Sequence, residues 1–177
     1  MKIGLISDTH IPEAGSEIPE QVYRAFKDVE LILHAGDMHV IEVLDWLEKI
    51  APVLGARGNG DGDWGRPAFP DDDPRVKEAH VLHIEGLYIG LTHGFPLPEE
   101  APWTTLDDLM NRKLGQKVDV IVCGDTHVTM NCWIEGVLFV NPGSPTLPRQ
   151  FYALGQVGIL DIEGGTARAQ IIDLSTL

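Results

Sequence analysis

KIGLISDTHIPEAGSEIPEQVYRAFKDVELILHAGD (residues 2–37) reads as strand, helix, strand, the first crossover of a parallel sheet. Its first run, KIGLIS (2–7), and its last, LILHAG (31–36), are dense in branched apolar residues and end against Asp or Gly, the pattern of strands buried on both faces. Between them PEQVYRAFKD (19–28) sets Val22, Ala25 and Phe26 at i, i+3 and i+4, the stripe of an amphipathic helix. A second stripe, Val40, Val43, Leu44 and Leu47 in HVIEVLDWLEKI (39–50), leads to a third apolar run, PVLGARG (52–58). The alternation β-α-β-α-β predicts a largely parallel sheet.

The second half changes rhythm. VLHIEGLYIGLTHG (81–94) and NCWIEGVLFVNPG (131–143) each hold a Glu-Gly pair between two strand-like runs and predict hairpins. TTLDDLMNRKLGQK (104–117) predicts a helix feeding the strand VDVIVCGD (118–125), and the tail over 156–174 predicts a hairpin closing on Gly164-Gly165. The expected fold class is α/β (α+β): two packed mixed β-sheets flanked by helices, an αββα sandwich, in one domain over residues 1–177. Two irregular stretches, 60–75 with Trp64 and 95–103 with Trp103, are long enough to serve as functional loops. Their tryptophans have three readings: stacking on a substrate ring, capping the core, or lining a dimer interface.

Charge narrows the function classes. With 13 Lys+Arg against 27 Asp+Glu, a formal net of −14, the chain lacks the basic surface of a nucleic-acid or membrane binder. Cys123 and Cys132 are too few for a disulfide framework or a thiolate zinc site, so a reducing cytoplasm is expected. The opening MKIGLISDTH has too short an apolar run for a leader or a membrane span.

The strand ends share one chemistry. Asp8-Thr9-His10 follows the first run, Gly36-Asp37 the second, Gly58-Asn59 the third, His93-Gly94 the hairpin strand, and Gly124-Asp125-Thr126-His127 the fifth. Singly, each has an ordinary reading as a cap, an Asx turn or a satisfied histidine. Five together, at strand ends that converge in an α/β sheet and beside glycines that let backbone approach, point to a ligand site. Carboxylate, amide and imidazole without thiolate suit manganese, iron, zinc, nickel or cobalt. Two such ions about 3.5–4 Å apart would clamp a phosphate and acidify a bridging water, whose hydroxide attacks phosphorus in line.

The order DTH, GD, GN, HG, GDTH and then NPGS (141–144) resembles the calcineurin-like metallophosphoesterase superfamily, with its D-x-H, G-D, G-N-H-D/E, G-H and G-H-x-H blocks, over Met1 to about Asp173. The small size, DTHIP and NPGS resemble its compact bacterial and archaeal phosphodiesterase branch, which includes the retromer scaffold subunit. The resemblance implies that Asp8, His10 and His127 hold a first metal, that Asp37 bridges, and that Asn59 and His93 hold a second. Asp125 stands where the family has the first His of G-H-x-H, which tilts the expected metal toward manganese, with nickel, iron, zinc, cobalt or magnesium as alternatives.

Gly60 stands where the family's G-N-H-D/E block has the histidine that binds phosphoryl and protonates the leaving oxygen. His39 is a candidate replacement, against the reading of an exposed histidine at a helix N-terminus. Arg57, Gly60 and Asn141 are candidate substrate contacts, with Arg149 a second cation for phosphate and NPGS equally readable as a turn.

The resulting expectation is a cytoplasmic phosphoesterase with two divalent ions that acts on small phosphodiesters, with Asp37 and Asn59 in the catalytic centre. A homo-oligomer, dimer or tetramer, is the protein partner left open. The competing expectation is a catalytically weak scaffold on the same fold; a DNA nuclease is disfavoured by the acidic chain.

Overall fold

In the computed structural model, which describes residues 1–177, the chain runs β1 (Lys2–Ile6), α1 (Glu20–Ala25), β2 (Leu31–His34), α2 (Glu42–Leu47), β3 (Val53–Ala56) and β4 (Val76–Lys77). It continues through β5 (Ala79–Ile84), β6 (Leu87–Thr92), α3 (Leu106–Leu114), β7 (Val120–Val122), β8 (Met130–Ile134), β9 (Val137–Asn141), β10 (Gln156–Glu163) and β11 (Thr166–Asp173). One sheet has the order β11-β10-β1-β2-β3-β4 and the other β5-β6-β7-β9-β8. β1, β2, β3 and β4 run parallel, as do β6, β7 and β9, while the hairpin partners are antiparallel.

Side-chain alternation explains the layers. Ile3 and Leu5 of β1 and Leu31 and Leu33 of β2 point between the sheets, where they meet Ile89, Leu91, Val120, Val122, Leu138 and Val140. Ile6 and Ile32 point the other way, onto Val22, Phe26, Val43, Leu44 and Leu47 of the helical layer. On the far face Leu106, Leu109 and Met110 of α3 cover Ile121 and Phe139. Each such side chain contributes about 1.5–3 kcal/mol through burial, and the result is the expected αββα sandwich.

The Glu-Gly pairs close their hairpins because both central residues are left-handed: φ is 48° at Glu85 and 87° at Gly86, 49° at Glu135 and 82° at Gly136. That is the type I′ geometry whose twist matches the flanking strands. α3 starts at Thr105, whose hydroxyl accepts from the Asp108 N–H at 3.1 Å, and stops at Gly115 with φ 79°.

Several boundaries differ from expectation. α1 and α2 are single short segments of 6 residues each, because Pro19 and Ile41 offer their N-termini no side-chain cap. β4 was not anticipated: it pairs Val76 with Gly55 and Lys77 with Ala56, so the chain after the first irregular stretch returns to the sheet. Arg75 secures that return, donating to Asp73, Asp45 and Glu48 at 2.7–2.9 Å. Trp64 and Trp103 are 88% and 79% exposed, so neither caps the core. Their loops cross the surface without packing the rings inward.

Candidate metal centre

Left-handed backbone gathers at the strand ends. Asp8, His10, Asp37, His39, Asp125 and His127 all have φ between 48° and 71°. Each costs about 1–2 kcal/mol relative to ordinary backbone, and strain concentrated in one place is a mark of a functional site. It turns successive side chains after β1, β2 and β7 inward toward one cavity, instead of alternating them across the sheet.

Three overlapping groups result: Asp8, His10 and His127; His10, Asp37 and His39; and Asp8, Asp37 and His93. His127 Nε2 is 3.5 Å and His10 Nε2 4.0 Å from Asp8 Oδ1. Asp37 faces both sides of the cavity, with Oδ2 3.5 Å from His10 Nε2 and Oδ1 3.5 Å from His93 Nε2. His93 Nε2 also lies 3.4 Å from Asp125 Oδ1 and 2.9 Å from Asn59 Oδ1. The structure therefore brings together all seven residues singled out as metal ligands.

Accounting for protons shows what the cavity lacks. The Nδ1–H of His93 donates to the Ala35 carbonyl at 2.7 Å and that of His127 to the Leu147 carbonyl at 2.9 Å, which leaves lone pairs at both Nε2 atoms. At His93 that lone pair looks onto three oxygens from Asn59, Asp37 and Asp125, none carrying a proton when the carboxylates are ionised. The Nε2 of His10 is buried and makes no hydrogen bond, although two carboxylates face it. Such a cluster of facing acceptors, buried at Asp8, Asp37, His93 and His127 and open to solvent at Asn59 and Asp125, is completed by cations, and its oxygen and imidazole composition fits divalent first-row metals or magnesium.

The electrostatics agree. Burial pushes the Asp8 carboxyl well above its ordinary range, and the carboxylates of Asp37 and Asp125 add to the effect. Burial, then the neighbouring His39, lowers His10 to about 4, so its ring is neutral and can ligate. A bound cation would reverse the first shift and use the second.

Sequence reasoning passed over the scaffolding of the site. Asp61 accepts from the backbone N–H groups of Asp37 at 3.1 Å, His39 at 2.8 Å and Gly58 at 2.8 Å, and so fixes the two loops against each other. The Ser144 hydroxyl donates to the Asp8 carbonyl at 2.7 Å and the Thr146 hydroxyl to the Thr9 carbonyl at 2.8 Å. His34, fully buried, accepts the Gly36 N–H at Nδ1 and donates from Nε2 to Thr9 Oγ1 at 3.2 Å, and burial drives it down to about 3. The run of four small or polar residues in NPGS was the available signal for Ser144. At Gly124 a Cβ would stand 2.8 Å from Asp8 Oδ2, so only glycine lets β7 pass that close.

The other candidates are sorted by the same contacts. His39 is 1% exposed, which overturns its reading as an exposed histidine at a helix start. Its Nδ1–H donates to Glu13 Oε2 at 2.8 Å, Arg66 Nε donates to Glu13 Oε1 at 2.8 Å, and the opposite Nε2 is buried without a partner. Burial alone would raise Glu13, but the bonds from His39 and Arg66 outweigh it and hold the carboxyl at about 2. A Cβ at Gly60 would meet that Nε2 at 2.8 Å, so His39 fills the space a side chain at position 60 would need.

Asn141 turns away from the cavity: its amide donates to the Gly124 carbonyl at 2.7 Å and its oxygen accepts the Gly143 N–H at 2.9 Å. NPGS is thus a turn that also positions the last strand end. Arg57 borders a cleft of about 490 Å³ beside Asn59, His93 and Asp125. Arg149 sits on the opposite side, in a pocket with His127.

An αββα sandwich whose parallel strands deliver carboxylates and imidazoles to one cavity defines a class, the metal-dependent hydrolases. The chain belongs to the calcineurin-like phosphoesterase superfamily, whose domain profile matches residues 1–165. It is 41% identical to a probable metallophosphoesterase of Methanothermobacter thermautotrophicus, over 97% of this chain and 92% of that one. It is 26% identical to a phosphodiesterase of Methanocaldococcus jannaschii, over 98% of this chain and 100% of that one. In fold it resembles Vps29 of Entamoeba histolytica, solved in complex with zinc, with a TM-score of 0.69 at 24% identity over 98% and 99% of the two chains. The chain is accordingly a metallophosphoesterase, and no helix in it is long and apolar enough to cross a membrane.

Proposed function

We propose that this chain is a phosphodiesterase for small phosphodiesters that works with two divalent ions, preferentially manganese. Asp8, His10 and His127 would hold the first ion and Asn59, His93 and Asp125 the second, with Asp37 facing both groups. The observation that carries this reading is the pair of Asp37 oxygens, each 3.5 Å from an imidazole of a different group. The carboxylate at position 125 favours a harder ion than imidazole would. When bound, the ions supply Lewis-acid polarisation of the phosphoryl oxygens and activation of water.

The chain's own residues do the rest. The Gly60 N–H donates to Asp37 Oδ1 at 2.7 Å and holds that carboxylate between the two groups. The attacking water gives up a proton to solvent as its oxygen bonds to phosphorus and one ester P–O bond breaks, and His39 passes a proton from Nε2 to the departing alkoxide and recovers one from solvent. Glu13 accepts the Nδ1–H bond and fixes the orientation of the ring, a task a carboxylate performs for catalytic histidines generally. Arg57 steers the free phosphoryl oxygens. Buried Cys123 and exposed Cys132 suit a reducing compartment, so we place the enzyme in the cytoplasm, as a monomer or a homo-oligomer.

The test is hydrolysis of bis-p-nitrophenyl phosphate by metal-stripped protein with Mn²⁺, Ni²⁺, Zn²⁺ or Mg²⁺ restored. Manganese should give the highest rate; silence with every metal would overturn the reading in favour of the scaffold that the Vps29 likeness suggests.

A further inference from the structure

The cleft of about 490 Å³ beside Asn59, His93 and Asp125 is lined by no apolar residue, and it collects Arg57, Arg112 and Lys113. These are three of only 13 Lys+Arg in a chain with 27 Asp+Glu, and they come from distant places: the end of β3 and the last turn of α3. Acidic neighbours do not consume them. Arg57 is 3.6 Å from Glu78, itself 85% exposed, and Arg112 reaches only the Thr104 hydroxyl at 3.5 Å. Lys113 forms no ion pair, in contrast to Lys117, which bonds Asp107 three residues past the helix.

Cations at a helix C-terminus can be explained by the helix dipole alone. That account does not explain why both face the same hollow as Arg57, one that opens onto the residues of the second metal position. Its volume lies within the 300–1,000 Å³ range of small-ligand sites. A wall that offers two guanidinium forks and an ammonium beside the carboxylates of Glu78 and Asp125, with no apolar side chain, matches phosphate oxygens.

Resting on the phosphoesterase reading above, we infer that this cleft holds a second phosphate on one arm of the substrate, so that the preferred class is a phosphodiester of nucleotide size carrying a further phosphate group. The ester under attack lies over Asp37, and the second phosphate reaches Arg112 and Lys113. The cleft is thus the source of selectivity, while the metal positions are the source of chemistry.

Two matched pairs test this. For binding, metal-loaded protein is titrated calorimetrically with thymidine 3′,5′-bisphosphate and thymidine 5′-monophosphate; for turnover, it is given thymidine 5′-(p-nitrophenyl phosphate) with and without a 3′-phosphate. The 3′-phosphate should improve Kd and kcat/KM by at least about tenfold, the scale of one charge-assisted contact. The advantage should vanish in the Arg112→Ala, Lys113→Ala double variant, invert in Lys113→Glu, and survive in part in Arg112→Lys; both positions of change are exposed, so the fold is kept. Equal affinity for the two nucleotides, absence of binding to either, or a preference that persists in the double variant overturns the inference. Turnover of both esters without preference removes the cleft's role and leaves the hydrolase. Bisphosphate preference without turnover by any metal does the reverse.

Discussion

The Nε2 of His93 lies 3.4 Å from Oδ1 of Asp125, an imidazole and a carboxylate meeting as acceptors at the open side of the cavity. Asp125→His therefore replaces a hard oxygen ligand by a softer nitrogen, and the metal that best restores activity should move from manganese toward zinc or nickel. Rates measured against a metal series check this. An unchanged series would remove Asp125 from the site.

On the two-ion reading proposed above, Asp37→Asn should weaken both positions at once, because its two oxygens face imidazoles of different groups. We expect bound metal per chain to fall and kcat/KM to drop at least about a hundredfold, the scale of losing one preorganised electrostatic contact. Elemental analysis beside kinetics would expose the opposite case, full metal content with full activity.

His39→Ala should reveal its task through the leaving group. An alkyl ester needs a proton on departure and should lose about 10²–10⁴-fold in kcat, whereas p-nitrophenolate leaves without one and should lose far less. Glu13→Gln, which removes the charge behind the Nδ1–H bond, should show the same pattern at smaller size. Equal losses on both esters would assign His39 a structural part only.

Removing the ions should lower Tm, since binding to the folded state at a hundred times Kd contributes about 2.7 kcal/mol. The metal-free protein keeps Asp8 buried and raised in pKa, a burden on the folded state at neutral pH. Asp8→Asn should thus leave the metal-free Tm unchanged or higher while abolishing the gain on adding manganese. Thermal melts with and without chelator decide it; a lower metal-free Tm would show that the Asp8 charge is otherwise compensated.

His34 is held neutral, with a folded pKa of about 3 against an ordinary 6.5. A lowered pKa means that the unfolded chain binds the extra proton between these values, so the stability is present above pH 6.5 and declines as pH falls toward 3. The stability difference between the wild type and His34→Gln should narrow steadily from pH 7 to pH 5. A difference independent of pH would mean that His34 gains its proton in the fold.

The layers were legible because periodicity carries them: KIGLIS and LILHAG are buried on both faces, and the Glu-Gly pairs could close only one way. The convergence of these side chains was legible because Asp and His recur after strands whose ends must converge. The braces were not. Asp61 and Glu13 act through backbone and through a partner distant in sequence, and neither leaves a spacing to read. His39 was misplaced because its left-handed φ of 71° breaks the helical stripe that Val40 to Leu47 suggests. Asn141 was read as a substrate contact from its place in NPGS and instead spends both ends of its amide on backbone.

The two residues of β4 occupy the free edge of β3, and an uncovered edge is where sheets of different molecules join. The loop that ends there also carries Asp61 and Arg66, so the piece of chain that braces the catalytic cavity is the same piece that seals the sheet against strand addition. Shortening or loosening it would convert a loss of activity into a loss of solubility, and variants of residues 62–75 selected for faster turnover would be filtered first by aggregation.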